Sequence, residues 1–146
     1  MLAELRRLSA ELGLANVHFT GESVRGSTEK DLLYSLASIF VLPSRRWRVA
    51  EPWGLVLNEA ASASLPIVAS EWVGAAGDLV RDGETAYLVP DNDPARLAAA
   101  VLTVLGDPGR AQAVASRACE LARSFTVERM AEAFDRAYLR AAQESP

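Results

Sequence analysis

Short apolar runs recur along this chain and are separated by amphipathic stretches. Residues 39–43 and 66–70 are mostly apolar and show no alternation with polar positions, which is typical of strands buried on both faces of a parallel sheet. Two shorter β-prone runs, residues 17–21 and 87–90, predict a first and a last strand. The pattern therefore predicts four strands spread over the first two thirds of the chain.

In the segments between these runs, apolar residues recur at helical spacing. The leucines of residues 2–12 recur every three or four positions, and Gly13 stands where a left-handed cap would end that helix. Thr28 is predicted to cap a second helix, and residues 54–64 form a third. Residues 73–81 predict a short helix or a turn.

The last third of the chain predicts only helices. Asp93 and Asp107 each precede a proline, which is the pattern of a capping acid followed by a first-turn proline. Thr126 is predicted to cap a final helix whose apolar face carries Met130, Phe134 and Tyr138.

Alternating strands and helices predict an α/β fold with a partial, Rossmann-like parallel sheet flanked by helices. The 146 residues are enough for one ordinary domain with a single core. Half of them are hydrophobic and 23% are charged, so the chain is not a disordered one.

Charge and cysteine content exclude several classes of function. The net charge is −4, which argues against binding to nucleic acid or to anionic lipid. Cys119 and His18 are the only cysteine and the only histidine, too few for a disulfide or a Cys/His zinc site. No apolar run approaches the roughly 20 residues of a membrane span. We expect a cytoplasmic protein, and its use of arginine over lysine suggests a bacterial source.

Candidate chemistry lies in the segment that follows the run at residues 39–43. Ligands bind open parallel sheets at the carboxyl ends of the strands, and this segment leads to Gly54, Leu55 and Val56 at the start of the third helix. Free backbone N–H groups and the positive end of the helix dipole favour a phosphate there. Gly54 would allow a ligand to approach the backbone closely.

Two carboxylates flank this helix start. Glu59 is placed to accept hydrogen bonds from the hydroxyls of a ribose, and Glu51 from those of a sugar beyond the phosphates. Trp53 could form a wall of the sugar pocket. The alternative is that Glu51 is only a favourable acid near a helix start and Glu59 only a solvent-facing side chain.

An ordered set of motifs resembles a known family. The set comprises residues 19–21, Pro43 with Ser44, the Glu-x7-Glu spacing from Glu51 to Glu59, residues 66–70, Val73 with Gly74, Asp82 with Gly83, and residues 87–89. In this order the motifs resemble the carboxy-terminal half of retaining glycosyltransferases with two Rossmann-like domains, the GT-B architecture, of the glycosyltransferase group 1 kind. The resemblance covers nearly the whole chain.

The resemblance implies a donor-binding domain for a nucleoside-diphosphate sugar, with no metal or other cofactor. It implies that Glu51 contacts the hydroxyls of the donor sugar and takes part in catalysis. Gly54 and Leu55, with Val56, would lie at the diphosphate, and Glu59 would hold the ribose. Gly21 and Glu22 would lie near the base. The implied reaction transfers a hexose to an acceptor with retention of anomeric configuration.

Parts of the family pattern are expected to be missing. Members carry a Gly-Arg and a Lys-Gly that bind the diphosphate, in two strands that should lie between the strand at residues 17–21 and the strand at residues 39–43, and they carry an amino-terminal acceptor domain. We expect an incomplete domain over residues 1–146, weak donor binding by the chain alone, and a separate amino-terminal half or a second copy covering the last helix. Arg45, Arg46 and Arg48 could partly replace the lost cations, although a solvated basic loop is the simpler interpretation.

Other functions remain open from the sequence. Residues 91–93 read Asp-Asn-Asp, which resembles the metal-binding motif of the other large glycosyltransferase fold, but Pro94 favours a turn and a helix cap. The chain could be a non-catalytic remnant or an interaction module that keeps the fold. It could also be a doubly wound nucleotide binder of another kind, such as a sugar-nucleotide epimerase.

Overall fold

The protein divides into two compact units, Met1–Ser35 and Leu36–Pro146. The structure is a computed structural model, and it describes residues 2–20, 27–46 and 52–144.

The first unit begins with helix α1, Leu2–Glu11. Gly13 ends it with a φ of 67°, and the N–H groups of Gly13 and Leu14 donate to the carbonyls of Ala10 and Ser9 at 3.0 and 2.9 Å. These bonds satisfy carbonyls that the last turn leaves without N–H donors. The predicted helix and its glycine cap are confirmed.

The predicted first strand does not form. Residues 17–20 have no regular secondary structure, and Gly21 lies outside the described residues. A strand exists only where a neighbouring strand supplies hydrogen-bond partners, and residues 17–20 belong to no sheet in the described ranges. Val17 is 41% exposed, so its β propensity is not supported by burial.

The predicted second helix is confirmed as α2, Ser27–Leu36, but its predicted cap is not. It already includes Ser27, so Thr28 lies in its first turn and does not cap it. The position that precedes the helix lies outside the described residues.

The second unit is built around a parallel sheet of three strands, β1 (Phe40–Leu42), β2 (Ile67–Ser70) and β3 (Tyr87–Val89), in the order β1-β2-β3. Strand β2 lies in the centre and is buried throughout, as its apolar run predicts. Strand β1 is only half-buried. The prediction of burial on both faces is wrong for β1, because the helices that cover the sheet pack mainly against β2 and β3.

Four helices complete this unit: α3 (Leu55–Ser62), α4 (Pro94–Gly106), α5 (Pro108–Ala122) and α6 (Val127–Glu144). Helix α3 packs against β2 and α5, while α4 packs against β2, β3 and α5. The fully buried side chains come from these elements and from the β2–β3 connection, the largest being Leu57, Ile67, Val68, Leu79, Val80 and Val114. The observed α/β architecture agrees with the predicted fold class.

The connection from β2 to β3 contains turns rather than a helix. Thr85 holds its centre: its buried hydroxyl donates to the carbonyl of Leu79 at 2.8 Å and accepts from the N–H of Arg81 at 2.9 Å. Of the two predictions for residues 73–81, the turn is correct.

The predicted helix caps in the last third are present. A carboxylate oxygen of Asp93 accepts from the N–H of Arg96 at 2.9 Å, and one of Asp107 accepts from the N–H of Arg110 at 3.0 Å. The hydroxyl of Thr126 accepts from the N–H of Arg129 at 3.2 Å. Each bond satisfies a first-turn N–H group that has no partner within the helix.

Asp91 and Asp93 act as structural acids. Asp93 caps α4, and the carboxylate of Asp91 accepts from the N–H of Arg46 at 3.0 Å. The turn-and-cap interpretation of the Asp-Asn-Asp sequence is thereby supported. Across the described ranges, no helix is both long enough and apolar enough to cross a bilayer.

Candidate functional site

The start of α3 is the centre of the candidate site. Gly54 is its N-cap, with φ 84° and ψ 65° and no side-chain capping bond, and its carbonyl accepts from the N–H of Leu57 at 2.8 Å. The preceding N–H groups, those of Leu55 and Val56, have no acceptor within the helix. The Leu55 side chain is 74% exposed, whereas Gly54 itself is buried.

Gly54 has a structural requirement that the sequence did not reveal. Its φ falls in the left-handed region, and a Cβ there would stand 3.1 Å from Cδ1 of Leu57 and 3.4 Å from Cδ2 of Leu42. The backbone angle and the packing of these two leucines therefore account for the glycine. Close approach of a ligand to Gly54 stays a prediction.

Trp53 is fixed beside the helix start. Its indole Nε1–H donates to Oδ1 of Asn58 at 2.7 Å, and its ring lies 5.5 Å from the ring of Phe125 at an angle of 55°. Trp53 and Asn58 occupy the N′ and N4 positions, where a hydrophobic staple usually forms. Here the same spacing carries a hydrogen bond, which holds the half-buried indole in one orientation.

The β2–β3 connection supports the turn before α3 through backbone contacts. The N–H of Ala75 donates to the carbonyl of Trp53 at 3.2 Å. A Cβ on Gly74 would fall 1.8 Å from the carbonyl oxygen of Pro52. This distance is too short for any side chain at position 74. Gly74 therefore allows the two backbone segments to touch.

Glu59 lies on the second turn of α3, on the same helix face as Leu55, because residues four apart are neighbours on a helix. Its side chain is half-buried. Glu51, Gly21 and Glu22 lie outside the described residues, so their predicted contacts with the donor sugar and the base stay predictions.

A groove of about 670 Å³ borders the start of α3. Trp53, Leu55 and Asn58 form one side, and the end of α5 with the start of α6 forms the other. The volume lies within the range of ligand pockets. Two cations line the groove, Arg81 and Arg129, and neither was identified from the sequence because both are remote from the Glu-x7-Glu segment.

Arg46 is an exposed loop residue, but both its side chain and its backbone contact other segments. Its guanidinium lies 4.4 Å from the ring centroid of Trp72, and its N–H is bonded to Asp91. It thus joins the segments that follow all three strands, and its cation is engaged by an aromatic face. Arg45 is exposed, and Arg48 lies outside the described residues.

Solved structures with this arrangement are glycosyltransferases of the GT-B fold. The chain superposes on sucrose-phosphate synthase from Thermosynechococcus elongatus with a TM-score of 0.79 and 30% identity, over 98% of this chain and 35% of that one. It superposes on HepE from Anabaena, solved in complex with UDP, with a TM-score of 0.78 and 27% identity, over 92% of this chain and 36% of that one.

Sequence comparison gives the same class. Residues 1–120 match the family "Glycosyl transferases group 1", and the chain belongs to this family. It is 41% identical over 115 residues to glycogen synthase from Mycobacterium tuberculosis, which covers 78% of this chain. It is 36% identical over 118 residues to D-inositol 3-phosphate glycosyltransferase from Kineococcus radiotolerans, which covers 76% of this chain. The chain spans only 27% and 26% of the lengths of these two relatives.

Proposed function

We propose that this chain is the donor-binding part of a retaining glycosyltransferase, which takes a hexose from a nucleoside diphosphate. The observation that carries the proposal is the amino-terminal end of α3, where the N–H groups of Leu55 and Val56 have no acceptor among the described residues and lie beside the fixed indole of Trp53. A diphosphate leaving group gains negative charge as the glycosidic bond breaks. Fixed N–H dipoles aimed at that charge stabilise it without reorganisation.

The two carboxylates, Glu59 and Glu51, indicate how the parts of the ligand would be arranged along the site. Glu59, one turn inside α3, would accept hydrogen bonds from the ribose, and Glu51 from the hydroxyls of the transferred hexose. Gly54, Leu55 and Val56 would lie at the diphosphate between them. The HepE relative was solved with UDP and with UDP-glucose, which supports a nucleotide or nucleotide sugar as the ligand of this fold.

Calorimetric titration with UDP, GDP and ADP tests this proposal. We expect weak binding to at least one of them, and Glu59→Ala should abolish the heat, because a ribose loses its hydrogen-bond acceptor. Asp107→Asn is the matched control, since its side chain caps the distant helix α5, and it should bind the nucleotide as the parent chain does. Absence of heat with all three nucleotides, or an unchanged affinity in Glu59→Ala, would contradict the proposal.

We further propose that turnover needs a surface that covers α6, either an amino-terminal glycosyltransferase half or a second copy of this chain. Met130, Phe134 and Tyr138 recur at helical spacing on α6 and are 56%, 69% and 76% exposed. Apolar patches of this kind mark interaction sites in soluble proteins. The alternative of a non-catalytic interaction module rests on this same face.

Light scattering after gel filtration tests the role of this face. We expect the isolated chain to self-associate as its concentration rises, because these side chains then leave water. The double variant Phe134→Gln/Tyr138→Gln should remain monomeric over the same range. Arg136→Gln, on the same helix but in an exposed ion pair with Glu132, should associate as the parent does. If the parent chain stays monomeric at every concentration, a second copy of this chain is ruled out as the partner that covers α6.

A further inference from the structure

The groove beside α3 combines apolar walls with positive charge. Its apolar lining comes from the start of α3, the end of α5 and the start of α6, through Trp53, Leu55, Leu121, Phe125, Val127 and Met130. Its charged residues are Arg81 and Arg129, and no acidic side chain lines it among the described residues. The whole chain has a net charge of −4, so this local excess of cations runs against the overall charge. A complementary ligand carries an apolar body and a negative charge.

The position of Arg129 does not serve the stability of its own helix. Its backbone N–H donates to the hydroxyl of the capping residue Thr126, and its place is the third residue of α6. The dipole makes this end of a helix positive and unfavourable for a cation, and the third position favours Glu or Gln. The guanidinium forms no hydrogen bond or ion pair with a described residue, so it is available to an anion.

Arg81 is held in place by the protein backbone. Its Nε–H is directed at the carbonyls of Gly77 and Asp78, at 3.1 and 3.2 Å. It also forms an ion pair of 4.0 Å with Glu84, whose side chain is 68% exposed, and an exposed pair of this kind is weak. A guanidinium carries five N–H groups. Those on the two terminal nitrogens of Arg81 can therefore bind an anion while Nε fixes the side chain.

The aromatic wall of the groove is ordered without a ligand. The indole of Trp53 is fixed by its hydrogen bond to Asn58, and its ring lies 5.5 Å from that of Phe125. Phe125 and Met130 are both exposed, so a ligand that covers them removes apolar surface from water. Aromatic rings and a thioether favour contact with a flat aromatic body, and a wall that is already ordered reduces the entropy lost on binding.

We propose that this groove binds an aromatic anion, with its ring system against Trp53, Phe125 and Met130 and its negative group at Arg81 and Arg129. The groove volume of about 670 Å³ is sufficient for a ligand of several fused or linked rings. The proposal is carried by the walls and charges of the groove and does not depend on which nucleotide the donor contains.

This site is distinct from the proposed nucleotide site, although the two are adjacent. Leu55 borders both, but neither Val56 nor Glu59 lines the groove. Glu59→Ala, which should abolish nucleotide binding, should therefore leave the affinity for an aromatic anion unchanged. Failure of one proposal is thus distinguishable from failure of the other.

NMR titration of the whole chain with naphthyl phosphate tests the site. Naphthol carries the same ring without the charge, and inorganic phosphate carries the charge without the ring. Naphthyl phosphate should cause saturable shifts of the Trp53 indole signal and the Arg129 amide signal. Its affinity should exceed that of either partial probe by about tenfold or more, because only the complete probe uses both the apolar wall and the cations.

Two variants test the cations, with a third as the matched control. Arg129→Gln should weaken binding of naphthyl phosphate by about threefold or more, as expected for an exposed charge, with an unchanged thermal midpoint. Arg81→Gln should weaken it as well. Arg136→Gln removes the same charge from α6 but lies outside the groove, in an ion pair with Glu132, and it should bind the probe as the parent does.

Several results would overturn the proposal. These are equal affinities for naphthyl phosphate and either partial probe, unchanged binding in both Arg129→Gln and Arg81→Gln, or displacement of the probe by UDP. Shifts of the Trp53 signal that follow protein concentration rather than the probe would identify a second copy of this chain as the occupant, and would overturn it too.

Discussion

Gly74→Ala should destabilise the second unit by about 3 kcal/mol, the upper end of the usual cost of overpacking. The new methyl group would fall 1.8 Å from the carbonyl oxygen of Pro52 and 2.4 Å from its carbonyl carbon. Both are backbone atoms, which cannot move aside as a flexible side chain can. The segment of Pro52 and Trp53 must shift, so we also expect weaker nucleotide binding at the start of α3.

Urea denaturation followed by circular dichroism measures this effect, with Gly106→Ala as the matched control. A Cβ on Gly106, the last residue of α4, meets no atom within 4 Å. That variant should be neutral or gain up to about 1 kcal/mol, because alanine has less conformational freedom to lose on folding. Equal denaturation midpoints for Gly74→Ala and the parent would show that the contact between the two backbones is not tight.

Leu57→Ala should cost about 2–5 kcal/mol, since it removes a fully buried side chain and leaves a cavity. Leu57 anchors α3 to the rest of the unit, and it lies within reach of Gly54 at the helix start. A cost of this size is a large fraction of the roughly 5–15 kcal/mol that stabilises an ordinary domain. We expect a marked fall in the thermal midpoint.

Leu55→Ala is the comparison for this prediction, because Leu55 lies two residues away on the same helix and is 74% exposed. It should change the free energy of unfolding by no more than about 0.5 kcal/mol. Calorimetric scans of both variants separate burial from helix propensity, which is the same in the two substitutions. A similar loss in both would mean that Leu57 is not part of the core.

Local signals predicted most of the elements in the second unit. The apolar run that became β2 is buried at every position, and the two Asp-Pro pairs mark the starts of α4 and α5 with capping bonds in place. The start of α3 was found from Gly54 and the acids around it. These features depend on neighbours in sequence, so a pattern within a few residues carries them.

Features that depend on distant contacts were missed or misjudged. The β-prone residues 17–20 form no strand because strand formation needs a partner, which no local pattern supplies. Strand β1 has the composition of a buried strand and yet lies at an edge of the described sheet. Asn58 was not recognised as the partner of Trp53, although the N′ to N4 spacing could have indicated the pair.

By itself the sequence determined the α/β class, the helix caps and the glycine-led start of α3 with Glu59 one turn inside it, since hydrophobic period and capping chemistry act over short separations. Only the tertiary structure decided that Gly74 packs on the carbonyl of Pro52, that Arg46 joins Asp91 and Trp72, and that the hydroxyl of Ser70 is buried with no partner among the described residues. These contacts join residues 22 to 45 positions apart or depend on how the sheet is packed. Their existence follows from how the strands and loops are placed in three dimensions.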